Sequence, residues 1–285
     1  MVGCREGAKN TLMKNYLYFA EQHGATIEPL RTVVRVRPIR PDQPESGYQI
    51  TTEAIGAWVR RDRRTQTVGQ VVLAAGAWGT QQLLHRLQQD GTLPDLSPAL
   101  GRLTRTNSEA LAGATTVRVP DSVDLTRGIA ITTSFHVDDV THVENCRYGK
   151  GSNAMGALAS ILLDEDEQSR LPRPARFAIQ AARRPTEFAR TLWLRRWSER
   201  TVIALVMQTV DNSLTVATKR GLLGRVRLTS RQGHADNPTW FPQASTAVRA
   251  IAEVLTRVTG VRATPGGNIS SVLHMPLTAH FLGGC

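Results

Sequence analysis

The chain has 285 residues, 41% of them hydrophobic, and a formal net charge of +11. The apolar share is enough to bury a core, so general disorder is excluded, and the length fits one large domain or two moderate ones. The basic balance rests on 35 lysines and arginines, of which only Lys9, Lys14, Lys150 and Lys219 are lysines; arginine spread in this way reads as a coding bias toward GC-rich codons, and no nucleic-acid partner is expected.

The first predicted element is a helix over residues 8–23, with Leu12, Tyr16 and Phe19 on one face and Gly24 as its stop. A short strand over 26–30 follows, then three β-rich runs over 32–36, 48–55 and 68–75. The segment from Pro38 to Gly47 turns between the first two runs, and Arg60-Arg61-Asp62-Arg63-Arg64 reads as a solvated hairpin tip. From Val71 the text is Val-Val-Leu-Ala-Ala-Gly-Ala-Trp-Gly-Thr: a buried strand that turns on Gly76 and Gly79 and enters a helix capped by Thr80. Small residues at such a turn let another backbone or a dinucleotide approach closely, with the helix amides pointing at it.

Beyond Gly113 the strand-like runs are 115–119, 129–137, 202–210, 213–218 and 225–229, with Asp211-Asn212 as a turn between two of them. Residues 172–200 read as helical and basic. A last helix spans 244–258, with Ala247, Ile251, Leu255 and Val258 on one face and Gly260 as its stop. This order predicts a mixed α/β (α+β) chain of two domains, the second inserted in the first and mostly antiparallel.

Several clusters could carry chemistry. Cys4, Cys146 and Cys285 are far apart and include no Cys-x-x-Cys pair, which excludes a zinc ribbon or thioredoxin-type site and argues against a disulfide framework. No apolar run approaches the roughly 20 residues that span a bilayer. The first residues do not form a signal peptide, and localisation stays open between cytoplasmic, secreted and membrane-peripheral. Gly149-Lys150-Gly151-Ser152-Asn153-Ala154 matches G-x-G-x-x-A formally, but residues 141–148 before it are too polar for a central parallel strand, so it reads as a glycine loop before a helix over 154–163. His136, Asp138, His142 and Glu144 would share one side of an unbroken strand and could then hold a metal, but Asp138-Asp139 is a natural turn, and no metal site is assigned. His280 lies beside Gly283 and Gly284, and histidine is the side chain best suited to accept a hydroxyl proton near neutral pH. Phe177, Phe188, Trp193 and Trp197 alternate with arginines through Arg200, a pattern suited to the headgroup region of a bilayer or to an ordinary helix docked on a sheet.

Four blocks, in order, carry a resemblance: Gly7-Ala8-Lys9-Asn10-Thr11-Leu12 through Leu17; Ala74-Ala75-Gly76-Ala77-Trp78-Gly79-Thr80 with Leu83-Leu84; residues 100–109, Leu-Gly-Arg-Leu-Thr-Arg-Thr-Asn-Ser-Glu; and residues 276–285, Pro-Leu-Thr-Ala-His-Phe-Leu-Gly-Gly-Cys. Through them the chain resembles the GMC (glucose–methanol–choline) oxidoreductases, within their cholesterol-oxidase-like branch. The resemblance implies part of an FAD-binding, Rossmann-like domain over 1–113 that lacks its first βαβ, a substrate-binding domain over 114–263, and a return to the FAD domain over 264–285. It implies hydride transfer from a sterol alcohol to FAD, with His280 over the flavin as catalytic histidine and Glu144 as the residue that isomerises the steroid double bond. Cofactor contacts are expected from Val33, Val34, Gly76, Gly79, Thr80, Asn107, Gly283 and Gly284. The family's G-x-G-x-x-G turn and its Gly-x-Asn-Pro segment are not in the sequence, so the chain is expected to be a piece truncated at both ends and inactive alone. A different alcohol as substrate, or a non-catalytic remnant on a membrane surface, are the competing expectations.

Overall fold

The computed structural model describes all residues except 1–3, 5, 57, 58, 60, 164–169, 221–225, 239, 274–277 and 279. His274 and Pro276 of the sequence motifs, Arg60 of the hairpin tip and Arg225 of the last strand run therefore lie outside the described residues. The chain folds as two compact units, one of Arg105–Ser213 with Gln232–Phe281, the other of Val2–Thr104 with Leu214–Arg231 and Leu282–Cys285. Every strand pairing whose register is described is antiparallel, and helices and strands are mixed along the chain.

In the second of these units, β1 (Arg31–Pro38), β2 (Tyr48–Ala54) and β3 (Arg64–Val68) form a three-stranded sheet in that order. The helix α2 (Gly76–Gln89) packs on it through Leu83 and Leu87, which join Val36 in a small core. Four expectations change here. The helix over 8–23 reduces to a 3₁₀ turn at Leu12–Lys14 and α1 (Tyr16–Gln22), none of whose residues is buried. The apolar run 71–75 is not a strand: β3 lies earlier, because it is Arg64–Val68 that pair with Thr52–Tyr48. The helix start likewise moves to Gly76, so Thr80 sits one turn inside α2, buried, instead of capping it. Residues 26–30 form no strand. The strands β9 (Leu214–Arg220) and β10 (Val226–Gln232) pair as a separate two-stranded sheet.

The first unit is built on a six-stranded sheet in the order β5-β6-β8-β4-β11-β7, made of β4 (Ala110–Thr116), β5 (Ile131–His136), β6 (Thr141–Cys146), β7 (Ala159–Ile161), β8 (Thr201–Gln208) and β11 (Ala263–Asn268). The expected helix over 154–163 gives way to a 3₁₀ helix, Ala154–Leu158, because Ala159–Ile161 pair with Asn268–Gly266 at the sheet edge. The helix α5 (Pro242–Thr259) covers one sheet face. Pro242 starts it, and Gly260 stops it with a left-handed φ of 64° that a side chain would resist. Its buried face, Ala244, Ala247, Val248, Ala252 and Leu255, recurs at helical spacing. It meets Ala114, Val143, Ala204, Val206 and Ala263 of the sheet. Alanine on both sides lets helix and sheet close tightly.

Because side chains alternate along a strand, residues between those inward ones face the other side of the sheet. There β4 presents Glu109 (just before it), Leu111, Gly113 and Thr115; β8 presents Thr201, Ile203, Leu205 and Met207; β6 presents His142, Glu144 and Cys146. Over that side lie α4 (Pro185–Leu192) and a short 3₁₀ turn at Trp197–Glu199, and α3 (Arg173–Arg183) packs on α4 through the rings of Phe177 and Phe188.

Candidate active site

A cleft of about 750 Å³, open solvent at its mouth included, lies on this second face. Its floor is Leu111, Gly113, Ile203 and the β11 backbone from Thr264 to Asn268, and α4 contributes Glu187, Arg190 and Thr191. Trp197 and Tyr148 close one side, their rings 6.2 Å apart. Trp197 is buried, and its indole Nε1 has no hydrogen-bond partner among the described residues. A buried donor of that kind is matched by a water or a ligand oxygen. Burial pushes the Tyr148 phenol up from its ordinary value.

On the same sheet face, at the start of β4, stands a polar cluster. The carboxylate of Glu109, only 9% exposed, lies 3.0 Å from Nδ1 of His280, whose side chain is 59% exposed. Asn107 Nδ2 donates to Glu109 Oε2 at 3.0 Å and stands 2.5 Å from the same Nδ1. The Thr278 hydroxyl donates to Asn107 Oδ1 at 2.9 Å and accepts from the backbone N–H of His280 at 3.0 Å. Glu109 and Asn107 thus hold the imidazole at Nδ1, Thr278 braces Asn107 and the His280 backbone, and more than half of the His280 side chain stays exposed.

Glu144 occupies the same face two strands away. It pairs across to Leu205, which pairs to Leu111, and its carboxylate lies 3.9 Å from His142 Nδ1. Cys146 follows Glu144 on the same strand face, and its thiol is pushed up first by burial and then by the charges of Glu109 and Glu144. The turn at Asp138 breaks the segment 135–146 into β5 and β6. His136 therefore pairs with His142 across the hairpin, their rings stacked at 4.9 Å. Among the described residues no group of three His, Cys, Asp or Glu is placed to hold a metal.

The remaining predicted contacts belong to the other unit, except for Asn107. Val33 is exposed in β1 at a register shift, and the Val34 carbonyl accepts from Arg86 at 3.2 Å. Gly76 opens α2 with φ of 69°, and an added Cβ there would meet nothing within 4 Å. Gly79 faces Ala75 and Thr80 is buried. Gly283 is exposed with φ of 74°. Gly284 is buried with φ of 84°, and a side chain on it would overlap the Gln81 amide and the Thr104 hydroxyl. Its carbonyl accepts from the Gly101 N–H at 2.6 Å.

Sequence reasoning gave Asn107 and His280, assigned no role to Glu109 or Thr278, and read Trp197 only as part of the basic aromatic stretch, whereas its ring is buried. For Glu109 the available signal was alternation, since 109, 111, 113 and 115 must share one face of a strand. No protein-family model matches the chain. Over its whole length it is 48% identical to a cholesterol oxidase of Mycobacterium tuberculosis (strain ATCC 25618 / H37Rv) and 35% identical to a cholesterol oxidase of Acinetobacter baumannii. It is thus similar to cholesterol oxidases from end to end, while it spans about half the length of these curated relatives, 48% and 50% of them.

Proposed function

We propose that the chain is the sterol-facing portion of an FAD-dependent oxidase of the GMC type that acts on 3-hydroxysterols. The observation that carries this is the shared sheet face, where a largely apolar cleft and a histidine held by a buried carboxylate lie on one surface. A cleft whose exposed surface is mostly apolar suits a hydrophobic alcohol such as a sterol. The likeness to two cholesterol oxidases supports the same substrate class.

On this reading His280 accepts the hydroxyl proton of the sterol, and Asn107 and Thr278 keep the ring in place. FAD, when bound, supplies the acceptor for the hydride leaving the alcohol carbon. Residues open to such a group are Gly76, at the amide-rich start of a 14-residue helix with free space around it, and the exposed Gly283. Gly79, Val33 and Val34 would flank it, and Asn107 would lie near its ring. Thr80 and Gly284, both buried, would support that binding by shaping the backbone. Glu144 would move the proton that isomerises the steroid double bond.

The test uses the complete flavin-loaded protein that contains this chain, with cholesterol in detergent as substrate. The expected product is the 3-ketone, with kcat reduced about 10²–10⁴-fold by His280→Ala and the double-bond shift lost in Glu144→Gln while oxidation continues. Oxidation of small polar alcohols in preference to sterols would overturn the substrate class.

Peripheral membrane contact is favoured by a specific patch. Leu192, Trp193 and Leu194 are 63%, 48% and 37% exposed at the end of α4. They adjoin a groove lined by Arg118, Arg195 and Arg196. Leucine and tryptophan beside arginine match the boundary between acyl chains and anionic headgroups. Replacing Arg118 and Arg195 by Glu is expected to abolish sedimentation with phosphatidylglycerol-containing vesicles and to spare oxidation of detergent-solubilised sterol. Equal binding to neutral vesicles would remove the role of the arginines.

A further inference from the structure

The two contacts at Nδ1 of His280 compete, and their outcome decides what the ring can do. Glu109 settles the orientation of Asn107. An ionised carboxylate only accepts, so the Asn107 atom that faces it is the NH₂, which leaves Oδ1 to accept from the Thr278 hydroxyl and sets the NH₂ beside the ring. The ring nitrogen therefore sees an amide donor at 2.5 Å and a carboxylate oxygen at 3.0 Å. If Nδ1 were bare, its lone pair would face an ionised carboxylate, and Nε2 would carry the proton and point outward as a donor. If Nδ1 carries the proton, it donates to Glu109, and the outward Nε2 is a lone pair.

A hydrogen bond to an ionised group is roughly twice as strong as a neutral one. Glu109 is also the buried, fixed member of the pair, whereas Asn107 satisfies one N–H on the carboxylate already. A small shift of the amide relieves its clash with Nδ1–H; nothing relieves a carboxylate facing a lone pair. We infer that Glu109 is the positioning residue of His280: it takes Nδ1–H and thereby leaves Nε2 as the free proton acceptor on the exposed edge. This deepens the proposed function, since it rests on His280 accepting the sterol proton. It assigns Glu109 a role that neither Asn107 nor Thr278 can fill, because only an acceptor selects this tautomer.

The tautomer is measurable without flavin or substrate. In the 285-residue chain labelled with ¹⁵N at its seven histidines, His280→Asn identifies the ring resonances, and the two nitrogen shifts distinguish Nδ1–H from Nε2–H. The expected result is Nδ1–H in the parent chain, lost or mixed in Glu109→Gln, and retained in Asn107→Ala. Nε2–H in the parent overturns the inference, and so does Nδ1–H that survives Glu109→Gln. Should Glu109→Gln fail to fold, Asn107→Ala still decides, because loss of Nδ1–H there would give the selection to the amide. In the complete flavin-loaded protein, Glu109→Gln is expected to lower kcat tenfold or more with KM nearly unchanged. If the parent oxidises no sterol but its histidine is Nδ1–H and depends on Glu109, the functional proposal fails and the positioning role stands.

Discussion

In the unit built on the six-stranded sheet, Ala114, Val143, Ala204, Val206 and Val248 are wholly out of solvent. In the unit that carries α1, the residues whose spacing marks an apolar stripe, Leu12, Tyr16 and Phe19, stand 60%, 74% and 54% exposed. Helical spacing of apolar residues therefore identifies a face but not its cover. In the first unit sheet and α5 supply complementary small residues to each other. In the second, cohesion comes from Val36, Leu83 and Leu87 together with a polar knot in which Gln81 donates to Thr104 Oγ1 at 3.1 Å and to the Gly283 carbonyl at 3.0 Å. One unit is held by a layer and the other by a few points.

The sharpest way to break that contrast is to open the layer. Leu255 is 4% exposed between α5 and the sheet. Leu255→Ala is expected to destabilise its unit by about 2–5 kcal/mol, read as a lower denaturant midpoint at constant slope. A loss below about 1 kcal/mol would mean that the helix is not the main cover. The next effect belongs to the other unit. Gly284→Ala places a methyl on the Gln81 amide and the Thr104 hydroxyl at a φ of 84°. It is expected to cost about 1–3 kcal/mol in backbone strain alone. Its signature is hydrogen-exchange protection lost in α2 and near Gly101 while α5 stays protected. Equal loss in both units would show that they unfold together.

The same contrast explains what the sequence disclosed. The helix α5 was legible because its start, its 3–4 spacing and its glycine stop agree, and the sheet then confirms each signal by packing. The run 71–75 misled because an apolar string looks like a strand whether or not a partner exists. Here the partner β2 takes the polar Arg64–Val68 instead, and only Val71 reaches the core. Residues 154–163 misled for the converse reason, since three of them are drawn into β7 by pairing with β11, which no local pattern records. At the candidate site, His280 and Asn107 were readable from their blocks. Glu109 was not, because a glutamate next to a strand is ordinary until the chain returns far downstream and sets an imidazole against it.

The smallest expected effect concerns the edge of the larger unit, where the layer thins. Strand β5 is exposed along its whole length and is joined to β6 by a turn in which Asp138 Oδ1 accepts from the N–H groups of Val140 and Thr141 at 3.1 and 2.7 Å. A hydrogen bond from the Thr141 side chain, foremost among several, holds the Asp138 carboxyl below its ordinary value. A carboxyl depressed in the folded state contributes stability that is present above its unfolded pKa, about 3.9, and is lost as pH falls through the folded value. The turn should therefore loosen in acid, with amides of β5 and the 137–141 turn losing exchange protection below about pH 4. Asp138→Asn should remove that pH dependence by weakening the turn at every pH. Only the first turn of α5, where Gln243 hydrogen-bonds Asp138, is tied to that carboxylate; amides from Val248 onward should not follow, since Val248 and Leu255 are buried in the layer. If α5 from Val248 onward loosened in the same acid range, the sheet edge and the layer would be one cooperative element, and the division between a held layer and held points would dissolve.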